Sequence, residues 1–147
     1  MHKVRDMLWT WLMPDLPEST GREEWIRHGG KWIIFDRKER IINIAERLAP
    51  FIDTGKIKSA KYWNEDPSAI CVYSFDRDRE EIWDILKGLG AGESRVWEYD
   101  YAWNKNLKKP LEFAYSWLSK FRTILQSYGI AGTLRLIREV LGPRQTR

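Results

Sequence analysis

Few side chains in this chain have the chemistry of a catalytic nucleophile, a base or a metal ligand. The 147 residues include two histidines, His2 and His28, and one cysteine, Cys71. Cys71 lies inside the apolar run 69–73, which is typical of a buried, small hydrophobic side chain. These residues do not form the clusters that hold zinc, and no glycine-rich phosphate-binding motif precedes a helix. We therefore expect no metal and no cofactor, and the sequence designates no catalytic residue.

One pair of carboxylates has a spacing that could hold a ligand. Glu98 and Asp100 alternate with the aromatic residues of the run 95–103, which has the pattern of a strand. Residues two apart in a strand lie about 6 to 7 Å from one another on one face, so this pair could share an amine, a cation or a proton. The alternative is a solvent-facing strand edge whose carboxylates are paired with lysine.

Tryptophan is the residue that most exceeds the needs of a small core, because the chain contains nine. Trp63, Trp97 and Trp103 lie in predicted strands or at their ends, and Lys61 precedes the first of them. Nucleotide binders without strong sequence preference stack bases on aromatic rings, at about 1 to 3 kcal/mol per base, while cations contact the phosphates. The alternative is that these rings form the floor beneath packed helices. Trp9, Trp11 and Trp25 are expected to tie the N-terminal segment to the body.

The periodicity of apolar residues indicates alternating strands and helices that would position these side chains. The predicted strands are 31–35, 56–63, 69–75 and 95–103. The predicted helices run from a cap at Asp36 to about 52, from a cap at Asp76 or Asp78 to 89, from 110 to about 125 and from 130 to 141. The turn-forming run 64–68 predicts an antiparallel hairpin between the second and third strands. Asp36 and Glu39 have the spacing of a capping box at the start of the first helix.

The length and composition of the chain favour one domain, 1–147. Its expected parts are an irregular or partly helical N-terminal arm (1–30), an α+β core (31–106) and C-terminal helices (110–141). No apolar run is long enough to span a membrane, and the single cysteine fits a reducing cytoplasm, so we expect a cytoplasmic protein. The net charge of +4 permits an anionic partner, and the mixed charges resemble the ion-pair-rich surface of a thermophile protein.

Several short runs together resemble the Bles family of uncharacterised proteins. The runs are 30–35, 60–61, 70–73, 86–90 and 98–101, within a match from about 25 to 106. Members are often labelled putative phosphothreonine lyase domains, and their fold is similar to that of the eukaryotic mRNA-cap-binding translation initiation factor. The resemblance implies a curved antiparallel sheet with helices packed on one face. Cap binders stack a base between tryptophans beside a glutamate, and the resemblance places Trp63 and Glu65 near that position.

Three functions are compatible with these features. The first is a binding module for a nucleotide or single-stranded RNA, with an aromatic and basic surface formed by Lys61, Trp63, Glu65, Trp97, Glu98, Asp100 and Trp103. The second is a phosphothreonine-lyase-like enzyme that uses Lys61, His28 and nearby arginines. The third is a homodimer or a partner-binding protein, whose interface would use the terminal amphipathic helices and the N-terminal tryptophans.

Overall fold

The fold is α+β and is built around an open, curled, six-stranded antiparallel sheet, as the sequence predicts. A computed structural model describes residues 1–16, 21–93, 95–101, 118, 121–122, 124–126 and 129–134. The strands are β1 (His2–Arg5), β2 (Trp9–Met13), β3 (Gly29–Asp36), β4 (Ser59–Trp63), β5 (Ser68–Phe75) and β6 (Val96–Tyr99). Their order across the sheet is β1-β2-β4-β5-β3-β6, which leaves β1 and β6 at its two edges.

The N-terminal segment differs from the irregular or partly helical arm that the sequence predicts. β1 and β2 form an antiparallel hairpin, and β2 pairs in turn with β4 through Trp9 opposite Trp63 and Leu12 opposite Ala60. The run Trp9–Met13 alternates partly exposed and buried side chains, the period-two pattern of a half-buried strand. The segment is therefore part of the sheet, and its first helix, α1 (Arg22–His28), begins only afterwards.

The predicted hairpin between the second and third strands is confirmed. β4 and β5 pair in antiparallel fashion from Ser59 opposite Tyr73 to Tyr62 opposite Ile70. Every residue of β5 is buried, because this strand is flanked by β4 and β3 and is covered on both faces. Its apolar sequence therefore runs continuously instead of alternating.

Helices α2 (Lys38–Arg47), α3 (Ala49–Asp53) and α4 (Arg79–Gly88) cover one face of the sheet, which we call the helical face. The single helix that is predicted to end at about 52 is interrupted at Leu48, because Pro50 has no N–H to continue the helical bonds. The predicted capping box is also wrong, since no side chain caps α2 at its N-cap residue. Instead Asp66, from the β4–β5 turn, accepts a 2.9 Å hydrogen bond from the Lys38 N–H.

The helical face holds the main hydrophobic core. Ile70 and Val72 of β5 pack with α2 and α4, and the buried apolar side chains of this cluster include Ile34, Ile41, Ile44, Ile52, Ile82 and Leu86. Burial of such side chains contributes about 1.5 to 3 kcal/mol each, so this layer fixes the register of the strands. That register determines which side chains appear on the opposite face of the sheet, which we call the second face.

Two C-terminal helices complete the fold, and residues 118, 121–122, 124–126 and 129–134 are their described parts. Ile124 and Thr133 are buried, whereas Leu118, Phe121 and Ile130 are exposed. Trp103, a predicted binding residue, lies outside the described residues, as does Trp117. Within the described part of the chain, no helix has the length and hydropathy needed to cross a bilayer.

Candidate ligand-binding site

The second face gathers three tryptophans around one lysine. Successive side chains of a strand point to opposite faces, so Lys61 and Trp63 of β4 share the second face, while Ala60 packs in the helical core. Cross-strand pairing places Trp11 opposite Lys61 and Trp9 opposite Trp63. We call these four residues, Lys61, Trp63, Trp9 and Trp11, the Lys61 cluster.

The ammonium group of Lys61 lies against two indole rings at once. Its Nζ atom is 4.5 Å from the ring centroid of Trp9, 4.5 Å from that of Trp11 and 6.0 Å from that of Tyr73. Each distance is within the reach of a cation–π interaction, which is strongest over tryptophan. Lys61 forms no ion pair with a carboxylate among the described residues. Its positive charge is therefore held in place by rings, and in the described part of the chain no carboxylate is bound to it.

Trp63 packs on Trp9, and its indole N–H has no hydrogen-bond acceptor within the described part of the chain. The two rings have a centroid separation of 5.8 Å and an interplanar angle of 36°. Both residues are partly exposed, as are Trp11 and Lys61. The Nε1 atom of Trp63 is buried and has no acceptor among the described residues. Buried indole N–H groups usually have a partner, so this unused donor is a feature of the cluster that packing alone does not explain.

A buried asparagine aligns the strands that carry the cluster. Asn64 follows Trp63 directly and accepts a 2.6 Å hydrogen bond from the Thr10 hydroxyl. Its amide nitrogen donates to the carbonyl oxygen of Asp6 at 3.0 Å, and its backbone N–H donates to that of Leu8 at 2.9 Å. The β4–β5 turn is thereby fixed to the β1–β2 turn, which holds Trp9 beside Trp63.

Asp6 supports the same turn from the other side. Its carboxylate accepts backbone hydrogen bonds from Leu8 at 2.8 Å and Trp9 at 2.6 Å, and Trp11 Nε1 donates to it at 3.3 Å. The hydrogen bonds from the Trp9 and Leu8 N–H groups, followed by Trp11 and the nearby charge of Lys61, hold the pKa of Asp6 below its ordinary value. Asp6 is thus an acidic neighbour of Lys61 that binds backbone and indole N–H groups.

The turn after Trp63 contains the predicted site residue Glu65 and a second carboxylate, Asp66. Glu65 is exposed in this turn, two residues beyond Trp63. Asp66 is occupied by its hydrogen bond from the first turn of α2. Asp66 therefore has a role in the fold, in which Glu65 does not share.

Glu98 and Asp100 belong to a different part of the second face. Glu98 lies opposite Lys31 in the β3–β6 pairing, and Asp100 forms a 3.1 Å ion pair with the Lys31 ammonium. Asp100 also accepts a 3.2 Å hydrogen bond from Trp25 Nε1, which ties α1 to the sheet. Asp100 is thus paired with a lysine. This pairing is the alternative to ligand binding that the sequence pattern allows.

Trp97 points to the helical face, away from Lys61. It is paired with Trp32, and the two rings meet edge to face at 5.3 Å. Trp32 in turn contacts Trp83 of α4 at 4.8 Å and donates a 2.8 Å hydrogen bond from Nε1 to the Arg79 carbonyl. The structure therefore brings Trp63 and Lys61 together but separates Trp97 from them by the thickness of the sheet.

His28 is likewise remote from Lys61. It ends α1, and its Nδ1 atom is 3.3 Å from the Asp76 carboxylate, which also accepts a 3.2 Å hydrogen bond from the Tyr99 hydroxyl. The next residue, Gly29, pairs with Phe75, whereas Lys61 pairs with Cys71. Phe75 and Cys71 are four residues apart on β5, which is about 13 Å along the strand. Lys61 and His28 do not form a common pair of catalytic groups.

Three aromatic members of this neighbourhood were not predicted from the sequence. Trp9 and Trp11 were expected to fasten an arm, although their alternation with Thr10 and Leu12 is the signal of a strand. Tyr73 of β5 lies between Lys61 and Lys31, 5.7 Å from the Lys31 Nζ. Burial, followed by the negative charge of neighbouring acidic groups, raises the pKa of the Tyr73 phenol, so it stays neutral beside the cluster.

Two comparisons of this chain with known proteins, by family model and by sequence, give no match. No model of a protein family matches it, and a search of curated proteins finds no similar sequence. Among the described residues, no group of three or more histidine, cysteine, aspartate or glutamate side chains could hold a metal ion. The function is therefore argued from the geometry of the Lys61 cluster.

Proposed function

We propose that the protein is a binding module for a nucleotide or single-stranded RNA and that its ligand contacts the Lys61 cluster. The observation that carries the proposal is the position of Lys61 Nζ, 4.5 Å from both Trp9 and Trp11 and without a carboxylate partner among the described residues. A flat base can stack on a partly exposed indole, while the lysine ammonium donates hydrogen bonds to a phosphate. The net charge of +4 favours the same class of ligand.

The arrangement suits binding better than catalysis. The hydrogen bonds of Asn64 and Asp6 hold both turns that flank the cluster, so the rings are preorganised for contact. His28, the histidine proposed as an acid or base, is bound to Asp76 about 13 Å away along the sheet. The expected resemblance to a cap-binding fold supports the same proposal, because it also predicts base stacking at Trp63.

A fluorescence titration tests this proposal. Nucleotides and short RNA oligonucleotides should quench the tryptophan emission of the intact protein, and Trp63→Phe should weaken binding by about tenfold, the loss of part of one stacking contact. Trp97→Phe is the matched control, because Trp97 lies on the helical face, and its affinity should equal that of the wild type. The absence of quenching by every nucleotide and oligonucleotide would contradict the proposal.

A second candidate function is self-association through the C-terminal helices. Leu118, Phe121 and Leu125 have the spacing of one helical stripe and are all exposed, and Ile130 and Leu134 add to this apolar surface. Exposed apolar side chains at such spacing favour pairing with a second copy. Light scattering of the full chain should give twice the monomer mass, and Leu118→Glu should return the monomer. A monomer at every concentration would contradict this candidate.

A further inference from the structure

We infer that the ligand of the Lys61 cluster is a single nucleotide held through one phosphate, and that the cluster does not follow a nucleic acid strand. This inference rests on the proposed function and specifies its ligand. Two properties of the second face support it: the number of unpaired cations among its strand residues and the extent of its accessible surface.

The described strands place three basic side chains on the second face: His2, Lys31 and Lys61. His2 contacts Asp15 at 3.2 Å, and Lys31 contacts Asp100 at 3.1 Å. Of these three, Lys61 alone has no carboxylate partner among the described residues. Proteins that bind single strands line a groove with several cations, one for each phosphate that they neutralise. One unpaired lysine among the described strand residues of this face matches one phosphate.

The accessible surface around Lys61 is also small. Beyond Lys61, the same row of the second face continues through Cys71, Ile33 and Val96, and all three side chains are buried. Three partly exposed rings lie at the Lys61 end of this face, Trp9 and Trp11 on β2 and Trp63 on β4, and two others, Trp25 and Phe35, pack on the buried side chains beyond it. A strand of RNA would need an open path across several strands, whereas one base can be accommodated at this end of the sheet.

The acidic residues around the cluster also favour a ligand with a single phosphate. Asp6 is close enough to Lys61 for the lysine charge to affect its pKa, and Glu65 is exposed in the turn after Trp63. Negative groups near the cluster repel the further phosphates of a polymer. They leave room for one phosphate at the Lys61 ammonium, whose remaining surroundings are aromatic.

A comparison of three ligands at several salt concentrations tests the inference. Adenosine, adenosine 5′-monophosphate and decaadenylate are titrated into the full-length protein, with tryptophan fluorescence as the readout. The monophosphate should bind about tenfold more tightly than adenosine, the gain from one charged hydrogen bond. The log affinity of the decamer should fall with log salt with a slope near −0.7, the single-strand value for about one phosphate.

Substitutions of lysine distinguish a direct contact between Lys61 and the phosphate from a general effect of net charge on affinity. Lys61→Met should remove the preference for the monophosphate over adenosine, and Lys61→Arg should retain it. Lys87→Met is the matched control, because Lys87 lies on α4 and contacts Asp84 at 2.8 Å, and it should behave as the wild type. A decamer slope of about −3 or steeper would overturn the inference and leave the proposed function standing. No response to any of the three ligands would overturn both.

Discussion

The Thr10 hydroxyl donates a 2.6 Å hydrogen bond to Asn64 Oδ1, and the two side chains are only 4% and 6% exposed. This bond joins the start of β2 to the end of β4. Trp9 precedes Thr10 and Trp63 precedes Asn64, so the bond lies directly beside the pair of rings in the Lys61 cluster. The buried side chains of Thr10 and Asn64 thus position the partly exposed rings of Trp9 and Trp63.

Replacing Asn64 should destabilise the fold. Asn64→Ala removes the acceptor of Thr10 and the donor to the Asp6 carbonyl, leaving buried polar groups without partners. We expect the free energy of unfolding to fall by about 1 to 3 kcal/mol, measured by urea denaturation. Glu65→Ala, at the neighbouring exposed position, should change it by less than about 0.5 kcal/mol. Equal stability of the two variants would show that the Asn64 bonds are not important.

The sheet core was predictable because its sequence signals agree with one another. The run 64–68 is rich in turn-forming residues between two apolar stretches, and β4 and β5 form the expected hairpin around it. The alternation of 95–103 correctly separated Trp97 from Glu98 by face. Such local patterns determine which face a residue occupies, because the side-chain period of a strand is fixed by its geometry.

The pairing of strands that are distant in sequence could not be predicted from such local patterns. β2 pairs with β4 across roughly fifty residues of intervening chain, and nothing in the local sequence at Trp9 or Trp11 specifies that pairing. The sequence therefore identified Lys61 and Trp63 but not the two rings that enclose the lysine. Asn64 was read as a turn residue, since burial of its side chain depends on the β1–β2 turn that reaches it.

Glycine is required at position 30 by the close approach of β6. A Cβ atom on Gly30 would lie 2.5 Å from the Trp97 ring and 2.8 Å from the Glu98 carbonyl oxygen. Gly30→Ala should therefore lower the free energy of unfolding by about 1 to 3 kcal/mol, as other overpacked sites do. Gly88→Ala is the matched control, because a Cβ there has no atom within 4 Å. Stability of Gly30→Ala equal to that of the control would contradict this packing.

Asp6 should make the stability of the β1–β2 turn dependent on pH. The backbone N–H groups of Trp9 and Leu8 hold the folded-state pKa of Asp6 below its ordinary value of 3.8. A lowered pKa means that folding is favoured by the charged form, so the contribution is present above about pH 3.8 and is lost as the pH falls through the folded-state value. The difference in urea midpoint between wild type and Asp6→Asn should shrink below pH 3.8, and a carboxyl NMR titration should give a pKa below 3.8. A pKa at or above that value would contradict the assignment.

Lys31 should contribute to structure and not to ligand binding. Its ammonium is paired with Asp100, and both side chains are partly buried. Lys31→Met should lower the free energy of unfolding by up to about 1 kcal/mol, the range of partly exposed ion pairs, and should leave the affinity for nucleotides unchanged. A loss of affinity as large as that of Lys61→Met would show that the ligand extends over β3.

The most direct test of the Lys61 cluster is an NMR titration of the tryptophan indole N–H signals with adenosine 5′-monophosphate. The account predicts that the signals of Trp9, Trp11 and Trp63 shift on addition of the nucleotide, because these rings surround Lys61 on the second face. The signals of Trp32 and Trp83, which are buried on the helical face, should stay in place. Shifts confined to Trp32 and Trp83, or no shift in any indole, would contradict it.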